Sequence, residues 1–231
     1  MKINLCIQFL AMLFKEITLQ TKKIDELYDF YQNKLQLKVK RDNVKTISIQ
    51  AGKTTLIFEQ TKNIENPFYH FAFNIPSNKI KDTIEWLKNK VELLWIEDYK
   101  NYVAEFVSWN ARSVYFLDIA GNIVELIARS DLHDNVDETV SSQHIRNVSE
   151  IGIVFNAEQF DNNVNTLMQQ YQLEYFSKQQ PMKHFRAIGD DEGLFIVVPE
   201  QRNWYPTNIS CKIFPLSIAF ENNNKEYRLQ L

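Results

Sequence analysis

The sequence predicts an α+β protein built from repeated βαβββ modules, whose curved mixed sheets enclose a cleft. The first observation is that a strand, a helix and then further strands recur three times along the 231 residues. The second is a polar and charged segment, Ser130–Ser149, that separates the third copy from the first two. Because internal repetition specifies a whole architecture, we expect a first domain over residues 12–130 and a second over residues 145–231.

The first module opens with a predicted strand at Lys15–Gln20, where polar and apolar residues alternate. Apolar and aromatic side chains then recur at helical spacing over Ile24–Leu35. Three strands complete the module, with Gly52 turning between the last two. They are predicted at Leu37–Lys40, Thr46–Gln50 and Thr54–Gln60.

The second module repeats this order. It begins with a strand at Tyr69–Ile75, followed by Ser77, which can cap a helix predicted over Ile80–Lys90. It ends in a hairpin over Ser113–Arg129, in which Asp118, Gly121 and Asn122 supply the turn chemistry. The remaining strands are predicted near Leu93–Trp95, Tyr102–Ser108, Val114–Leu117 and Ile123–Ala128.

A third module starts after the polar segment, with a strand at Ile151–Phe155 and a helix at Asn162–Tyr171. Its later strands are predicted near Leu173–Phe176, His184–Ile188 and Leu194–Val198. The remainder, Trp204–Leu231, has strand-like pieces around Ile209–Phe214 and Leu216–Phe220 and no helix signal. It therefore reads as a degenerate fourth module.

Composition restricts the function classes. A net charge of −3 without a basic arm gives no electrostatic case for nucleic acid or an anionic membrane. Two cysteines exclude a disulfide framework, and four histidines argue against a multi-histidine metal cage. The apolar start, Met1–Phe14, superficially suggests a signal peptide but has a weak basic region and no clear cleavage site, and Met12 is an alternative start. We therefore expect a cytoplasmic protein.

Glu125 is the residue that most needs an explanation. Its neighbours along the predicted strand are apolar on both faces, which indicates a strand covered on both sides. An ionised carboxylate costs several kcal/mol there unless a cation or a set of donors meets it. A bound metal ion is one candidate partner, and an arginine such as Arg112 or Arg129 is another.

The repeated unit resembles the vicinal oxygen chelate superfamily, which includes glyoxalase I, fosfomycin-resistance thiol transferases, bleomycin-binding proteins and extradiol dioxygenases. Two motifs carry the resemblance: Tyr69-His70-Phe71-Ala72-Phe73 opens the second module, and Val114-Tyr115-Phe116-Leu117-Asp118 with Gly121-Asn122-Ile123-Val124-Glu125 closes it. The family usually has Pro-Asp where this chain has Ile119-Ala120. The C-terminal part looks like an uncharacterised two-half branch of the superfamily.

The resemblance implies a metal site, because ligands in metal-using members come from the first and last strands of each module. Glu16, His70 and Glu125 match such positions, Glu150 is the similar position in the third module, and Glu59 lies near a fourth. Two carboxylates and one imidazole suit a divalent ion with open positions, such as Zn, Mn, Ni or Fe. A complete second site is not expected, because the fourth module is degenerate.

The expected function is that of a metal-dependent lyase, isomerase or thiol transferase acting on a small oxygen-rich molecule. A ring-cleaving dioxygenase is disfavoured, since those of the superfamily use two histidines and one glutamate. Trp109, Arg112 and Tyr115 are the candidate substrate-binding residues, with Arg112 able to hold an anionic group. The alternative is a metal-free drug-binding protein of the bleomycin-resistance kind. In either case we expect a monomer or homodimer with a small-molecule ligand.

Overall fold

The computed structural model describes residues 11–231. Residues 1–10, which contain most of the signal-like start and Cys6, lie outside the described part of the chain. Two mixed β-sheets and three α-helices make up the regular structure. None of the helices in the described residues combines the length and the apolar character needed to cross a membrane.

Thirteen strands and three helices follow one another in the modular order that the sequence predicts. The first helix, Ile24–Asp29, continues directly into a π-helical segment, Phe30–Lys34. The strands are β1 Leu13–Thr21, β2 Lys38–Asn43, β3 Thr46–Ala51, β4 Thr54–Gln60, β5 His70–Ile75, β6 Ala104–Phe106, β7 Ala111–Leu117, β8 Ile123–Arg129, β9 Asn147–Phe155, β10 Arg186–Gly189, β11 Leu194–Pro199, β12 Leu216–Asn222 and β13 Lys225–Gln230. The helices are α1 Ile24–Asp29, α2 Ile80–Leu87 and α3 Phe160–Tyr171.

Each sheet joins one module from the N-terminal half of the chain with one from the C-terminal half. The first sheet has the order β13-β12-β1-β4-β3-β2, and the second has the order β10-β11-β9-β5-β8-β7-β6. Strands β1 and β12 pair antiparallel, and so do β5 and β9. The first module therefore meets the fourth, and the second meets the third. The domain limits 12–130 and 145–231 remain a prediction, and both sheets cross the boundary between them.

The inner faces of the two sheets pack against each other and against the helices. Phe14 of the first sheet lies 5.2 Å, ring centre to ring centre, from Phe195 of the second, and Phe58 lies 6.5 Å from Phe71. Successive side chains of a strand point to opposite faces, so His70 and Ala72, on either side of Phe71, lie on the outer face of the second sheet. A separate group of buried side chains covers that outer face.

The predicted βαβββ architecture is confirmed, with differences in short elements. The segments predicted as strands near Leu93, Tyr175 and Ser210 make only isolated bridges. The fourth module lacks a helix as expected, but it contains a second strand, β13, that the sequence pattern does not indicate. Asp118 forms the predicted turn, since its carboxylate accepts hydrogen bonds from the backbone N–H groups of Ala120 and Asn122.

Candidate metal centre

The register of the second sheet brings two glutamates to the same level. Ala72 on the central strand β5 pairs with Glu125 on β8 on one side and with Glu150 on β9 on the other. Paired residues of neighbouring strands project from the same face of a sheet. His70 lies two residues before Ala72 and shares this face. The alanine methyl group leaves space between the two carboxylates, and the imidazole lies beside that space.

The three side chains converge in a buried cluster. One ligand atom from each of His70, Glu125 and Glu150 lies within 4.8 Å of the others. The His70 Nε2 atom is 3.6 Å from Oε2 of Glu125 and 3.9 Å from Oε2 of Glu150. Each residue exposes 5% or less of its surface. An imidazole and two carboxylates at this spacing can hold one divalent ion while leaving open coordination positions.

A backbone contact orients the imidazole. The Nδ1 atom of His70 lies 3.1 Å from the carbonyl oxygen of Ile123, so Nδ1 carries the proton that this acceptor requires. In the neutral ring, Nε2 then presents its lone pair to the carboxylates. This is the arrangement of a metal-ligating histidine, whose other nitrogen donates to a backbone carbonyl.

Glu150 is held by a buried arginine. The Arg129 guanidinium, fully buried, donates to Oε1 of Glu150 through Nη2 and contacts Asp191 at 3.2 Å through Nη1. Its Nε atom also donates to the side chain of Asn74 at 3.2 Å. Lys178 continues this network toward the surface, with its Nζ 2.6 Å from Asp191. The network fixes one oxygen of Glu150 and leaves Oε2 directed at His70.

The cluster carries a net negative charge when His70 is neutral. With a neutral His70, the two glutamates and Arg129 leave one uncompensated negative charge in a buried site, which is costly. Burial accordingly raises the pKa of Glu125 to about 7, and the neighbouring Glu150 carboxylate adds to the rise. Burial disfavours the charged form of His70, but the carboxylates of Glu150 and Glu125 outweigh it and raise the pKa of the imidazole. Either a proton on this cluster or a divalent cation supplies the missing charge.

The fourth position of the site is apolar. His70 and Glu150 occupy equivalent positions on β5 and β9, because each lies two residues before a small residue of its own strand, Ala72 and Gly152 respectively. In the parallel pair of β9 and β11, Gly152 pairs with Ile196, just as Ala72 pairs with Glu125. Ile196 therefore stands where symmetry would place a fourth ligand. The site offers three protein ligands.

The cluster forms the floor of a cavity of about 250 Å³. Aromatic side chains dominate the walls, and the Trp204 ring lies 5.2 Å from the His70 ring, measured between centres. Besides the cluster, the cavity is lined by Phe106, Ser108, Trp109, Tyr115, Gln179, Met182, Phe185, Ile196, Arg202, Trp204 and Tyr205. An apolar cavity with a few converging polar groups is typical of small-molecule sites.

The structure brings together two of the three metal ligands that the sequence suggests. His70 and Glu125 meet, but Glu16 does not join them. It lies on β1 in the other sheet, its side chain is 38% exposed, and its carboxylate is 3.7 Å from Arg228. Glu16 lies apart from the cluster because β1 pairs with the fourth module, whereas β5 pairs with β9 and thereby brings in Glu150.

Two of the three predicted substrate-binding residues line the cavity. Trp109 and Tyr115 line the cavity. Arg112 does not, because it alternates along β7 with Tyr115 and points to the other face. Nor does an arginine neutralise Glu125 as the sequence allowed, since the Arg129 guanidinium contacts Glu150 instead.

The sequence indicates Arg129 only as a partner of Glu125, and it does not indicate Arg202 and Trp204 as parts of the site. Glu150 was recognised as a similar position, yet the strand was predicted to start one residue later, at Ile151. A sequence pattern that could have identified Glu150 as a ligand is the run Asn147–Phe155, in which Glu150 is an acidic residue among apolar ones. Glu125 has the same kind of surroundings on its own strand. For Arg129 and Trp204 no local signal exists, because their roles depend on contacts between distant modules.

Comparison with known proteins gives matches to solved structures only. No protein-family model and no curated protein matches the chain. A putative dioxygenase from Bacillus subtilis subsp. subtilis str. 168 aligns with 95% of this chain and 85% of its own, at 14% identity and a TM-score of 0.58. The V278E mutant of glyoxalase I from Zea mays aligns over 95% and 92% of the two chains, at 9% identity and a TM-score of 0.55. The protein has the vicinal oxygen chelate fold.

The vicinal oxygen chelate fold accounts for the position of the cluster on the first and last strands of paired modules. Both matches cover nearly the full length, so they include the fourth, helix-less module as well as the first three. This confirms the resemblance drawn from the sequence motifs at the level of the fold. At these identities the matches do not assign an activity, which has to be argued from the site itself.

Proposed function

We propose that the protein is a divalent-metal-dependent enzyme of the lyase, isomerase or thiol transferase type, which acts on a small oxygen-rich molecule in the cavity. The observation that carries this proposal is the buried meeting of His70, Glu125 and Glu150 within 4.8 Å. Zn, Mn, Ni and Fe all fit imidazole and carboxylate ligands. The expected cytoplasmic location and monomeric or homodimeric state remain predictions.

The residues fit a metal ion for three reasons. The Nδ1 atom of His70 is occupied by a backbone carbonyl, so Nε2 is the atom free to bind. The Oε1 atom of Glu150 is occupied by Arg129, so Oε2 is free. The buried cluster also lacks one positive charge, which a cation supplies. A bound divalent ion would polarise two adjacent substrate oxygens as a Lewis acid.

The cavity limits which groups can move protons. Outside the cluster, its titratable lining residues are Tyr115, Tyr205 and Arg202. Burial raises the pKa of the Tyr115 hydroxyl well above its ordinary value, so this group stays neutral and is not a base. With Glu125 engaged as a ligand, proton acceptance near neutral pH would fall to a water molecule in the cavity.

A second candidate is a metal-free ligand-binding protein of the bleomycin-resistance kind. It is favoured by the closeness of His70 to both glutamates, since a protonated imidazole would balance the cluster without a metal. The acidic floor would then suit a cationic ligand. In this case a divalent metal would neither bind stoichiometrically nor raise the melting temperature.

Metal titration of matched variants separates the candidates. We expect the purified protein to bind one Mn(II) or Zn(II) per chain in isothermal titration calorimetry, with a rise in melting temperature. The Glu150→Gln and His70→Ala variants should lose more than the roughly 10- to 100-fold in affinity typical for loss of an outer-shell partner. Glu16→Gln serves as the control and should bind like the wild type. Sub-stoichiometric metal in the wild type, or equal affinity in Glu150→Gln, would overturn the metal-dependent function.

A further inference from the structure

One arginine in the cavity wall has no acidic partner. Five of the seven arginines form ion pairs within the described residues: Arg41, Arg129, Arg146, Arg186 and Arg228. Within the described residues the Arg202 guanidinium makes one long hydrogen bond, 3.5 Å from Nη1 to the carbonyl oxygen of the adjacent Asn203. Its guanidinium lies over the Phe185 ring at 5.2 Å. Most of its five N–H donors are thus left for another partner.

The position of Arg202 is fixed by its backbone. Its carbonyl oxygen accepts a hydrogen bond from the Cys211 N–H at 2.7 Å, and the N–H of Trp204 donates to Ile209 at 2.9 Å. These contacts tie the segment Arg202–Tyr205 to a neighbouring loop. The side chain itself is half-buried, and burial lowers the pKa of the guanidinium. A desolvated cation without a counter-ion is unfavourable, which suggests that a bound anion completes the site.

A second unsatisfied polar group lies in the same wall. The Tyr205 hydroxyl is buried and has no hydrogen-bond partner in the described residues. Its ring packs edge-on against Tyr115 at 5.8 Å, and both rings line the cavity. A buried hydroxyl without a partner costs about 1–3 kcal/mol, so it needs an explanation. A ligand that offers an acceptor supplies one.

We propose that Arg202 and Tyr205 bind an anionic group of the substrate, a carboxylate or a group of similar chemistry, while the substrate's adjacent oxygens face the cluster of His70, Glu125 and Glu150. This inference rests on the proposed function and adds the substrate class to it. The aromatic walls select a flat body between the two ends. A cavity of about 250 Å³ equals roughly eight waters at about 30 Å³ each, which suits a molecule of single-ring size.

The chain offers a matched control for this assignment. Arg112 is also half-buried and also has no ion pair in the described residues, but it lies outside the cavity. From the sequence alone, Arg112 is the arginine expected to hold an anionic group. The structure assigns that role to Arg202, because Arg202 shares the cavity with the cluster.

The test compares two ring diols that differ by one carboxylate, 3,4-dihydroxybenzoate and catechol. Their affinities are measured by calorimetry on Zn(II)-loaded wild type, Arg202→Gln and Arg112→Gln, since Zn(II) has no redox chemistry. Charge-assisted hydrogen bonds predict a roughly 10- to 100-fold preference for the carboxylate in the wild type. Arg202→Gln should lose this preference while keeping its Zn(II) affinity. Arg112→Gln should keep both.

The outcomes separate this inference from the proposed function. A wild type that binds Zn(II) but shows no carboxylate preference overturns the inference alone, and so does an Arg202→Gln variant that retains the preference. If the wild type takes no Zn(II), the proposed function fails, and the anion site is then judged on the metal-free protein with benzoate and benzamide. A benzoate preference that Arg202→Gln abolishes upholds the anion site there, and equal binding overturns it.

Discussion

Replacing Arg129 with methionine should destabilise the protein strongly. The guanidinium is fully buried and meets Glu150 and Asp191, and its removal leaves Glu150 without its cation, whereas Asp191 keeps Lys178. Removing one partner of a buried ion pair costs about 3–5 kcal/mol. For a chain of this length each kcal/mol lowers the melting temperature by about 2–4 °C, so we expect a decrease of roughly 6–20 °C.

Differential scanning calorimetry of three further variants tests the reasoning. Arg129→Met/Glu150→Gln should recover part of the loss, because the neutral amide no longer leaves a charge at that position. Arg112→Met is the control, since it removes an arginine without an ion pair in the described residues and should stay near the wild type. Metal affinity should also fall by about 10- to 100-fold in Arg129→Met, because Glu150 loses the contact that orients it. A melting temperature of Arg129→Met equal to that of the Arg112→Met control would refute this account of the cluster.

Three more predictions concern Glu125, Cys211 and Gly152. The pKa of Glu125 is raised from 4.5 to about 7, so this group stabilises the metal-free protein below pH 4.5, and the stabilisation is lost as the pH rises through about 7. The melting temperature should therefore fall across this pH range, and bound metal should offset the fall. Burial raises the pKa of Cys211 from 9.0 to about 12, which lowers the thiolate fraction. In a Cys6→Ser variant the native thiol should therefore react with Ellman's reagent at least about 10-fold more slowly than the unfolded chain, after allowance for the higher nucleophilicity of a more basic thiolate. Equal rates would show that the thiol is accessible. A Cβ atom on Gly152 would lie 2.4 Å from the Trp204 ring. Gly152→Ala should therefore lower the free energy of unfolding, measured by chemical denaturation, by about 1–3 kcal/mol. The loss should be smaller when Gly152→Ala is made in a Trp204→Phe background, and an unchanged loss there would exclude the clash.

Local patterns were sufficient to predict the modules. The alternation around Phe71 and the turn chemistry of Asp118 and Gly121 depend on neighbours in sequence, and they hold in the structure. Helix starts were placed to within two residues in all three cases, and the ends of α1 and α2 less closely. Strand β13 was missed because its residues are mostly exposed and charged, which gives little apolar periodicity.

Two of the three cluster residues, His70 and Glu125, could be predicted from the sequence as metal ligands. His70 and Glu125 belong to one module, so the fold resemblance was enough to bring them together. The third member depends on which modules share a sheet, and that choice is made by packing between modules that are distant in sequence. The pairing of β5 with β9 brings in Glu150, whereas Glu16 faces away on the first sheet. The same pairing gives Arg129 its carboxylate partner.

Anomalous X-ray diffraction from crystals soaked in Mn(II) tests the central claim most directly. We predict one strong peak at bonding distance, about 2.0–2.3 Å, from Nε2 of His70 and from carboxylate oxygens of Glu125 and Glu150. A crystal without a peak at this position would contradict the account, and so would a peak at Glu16.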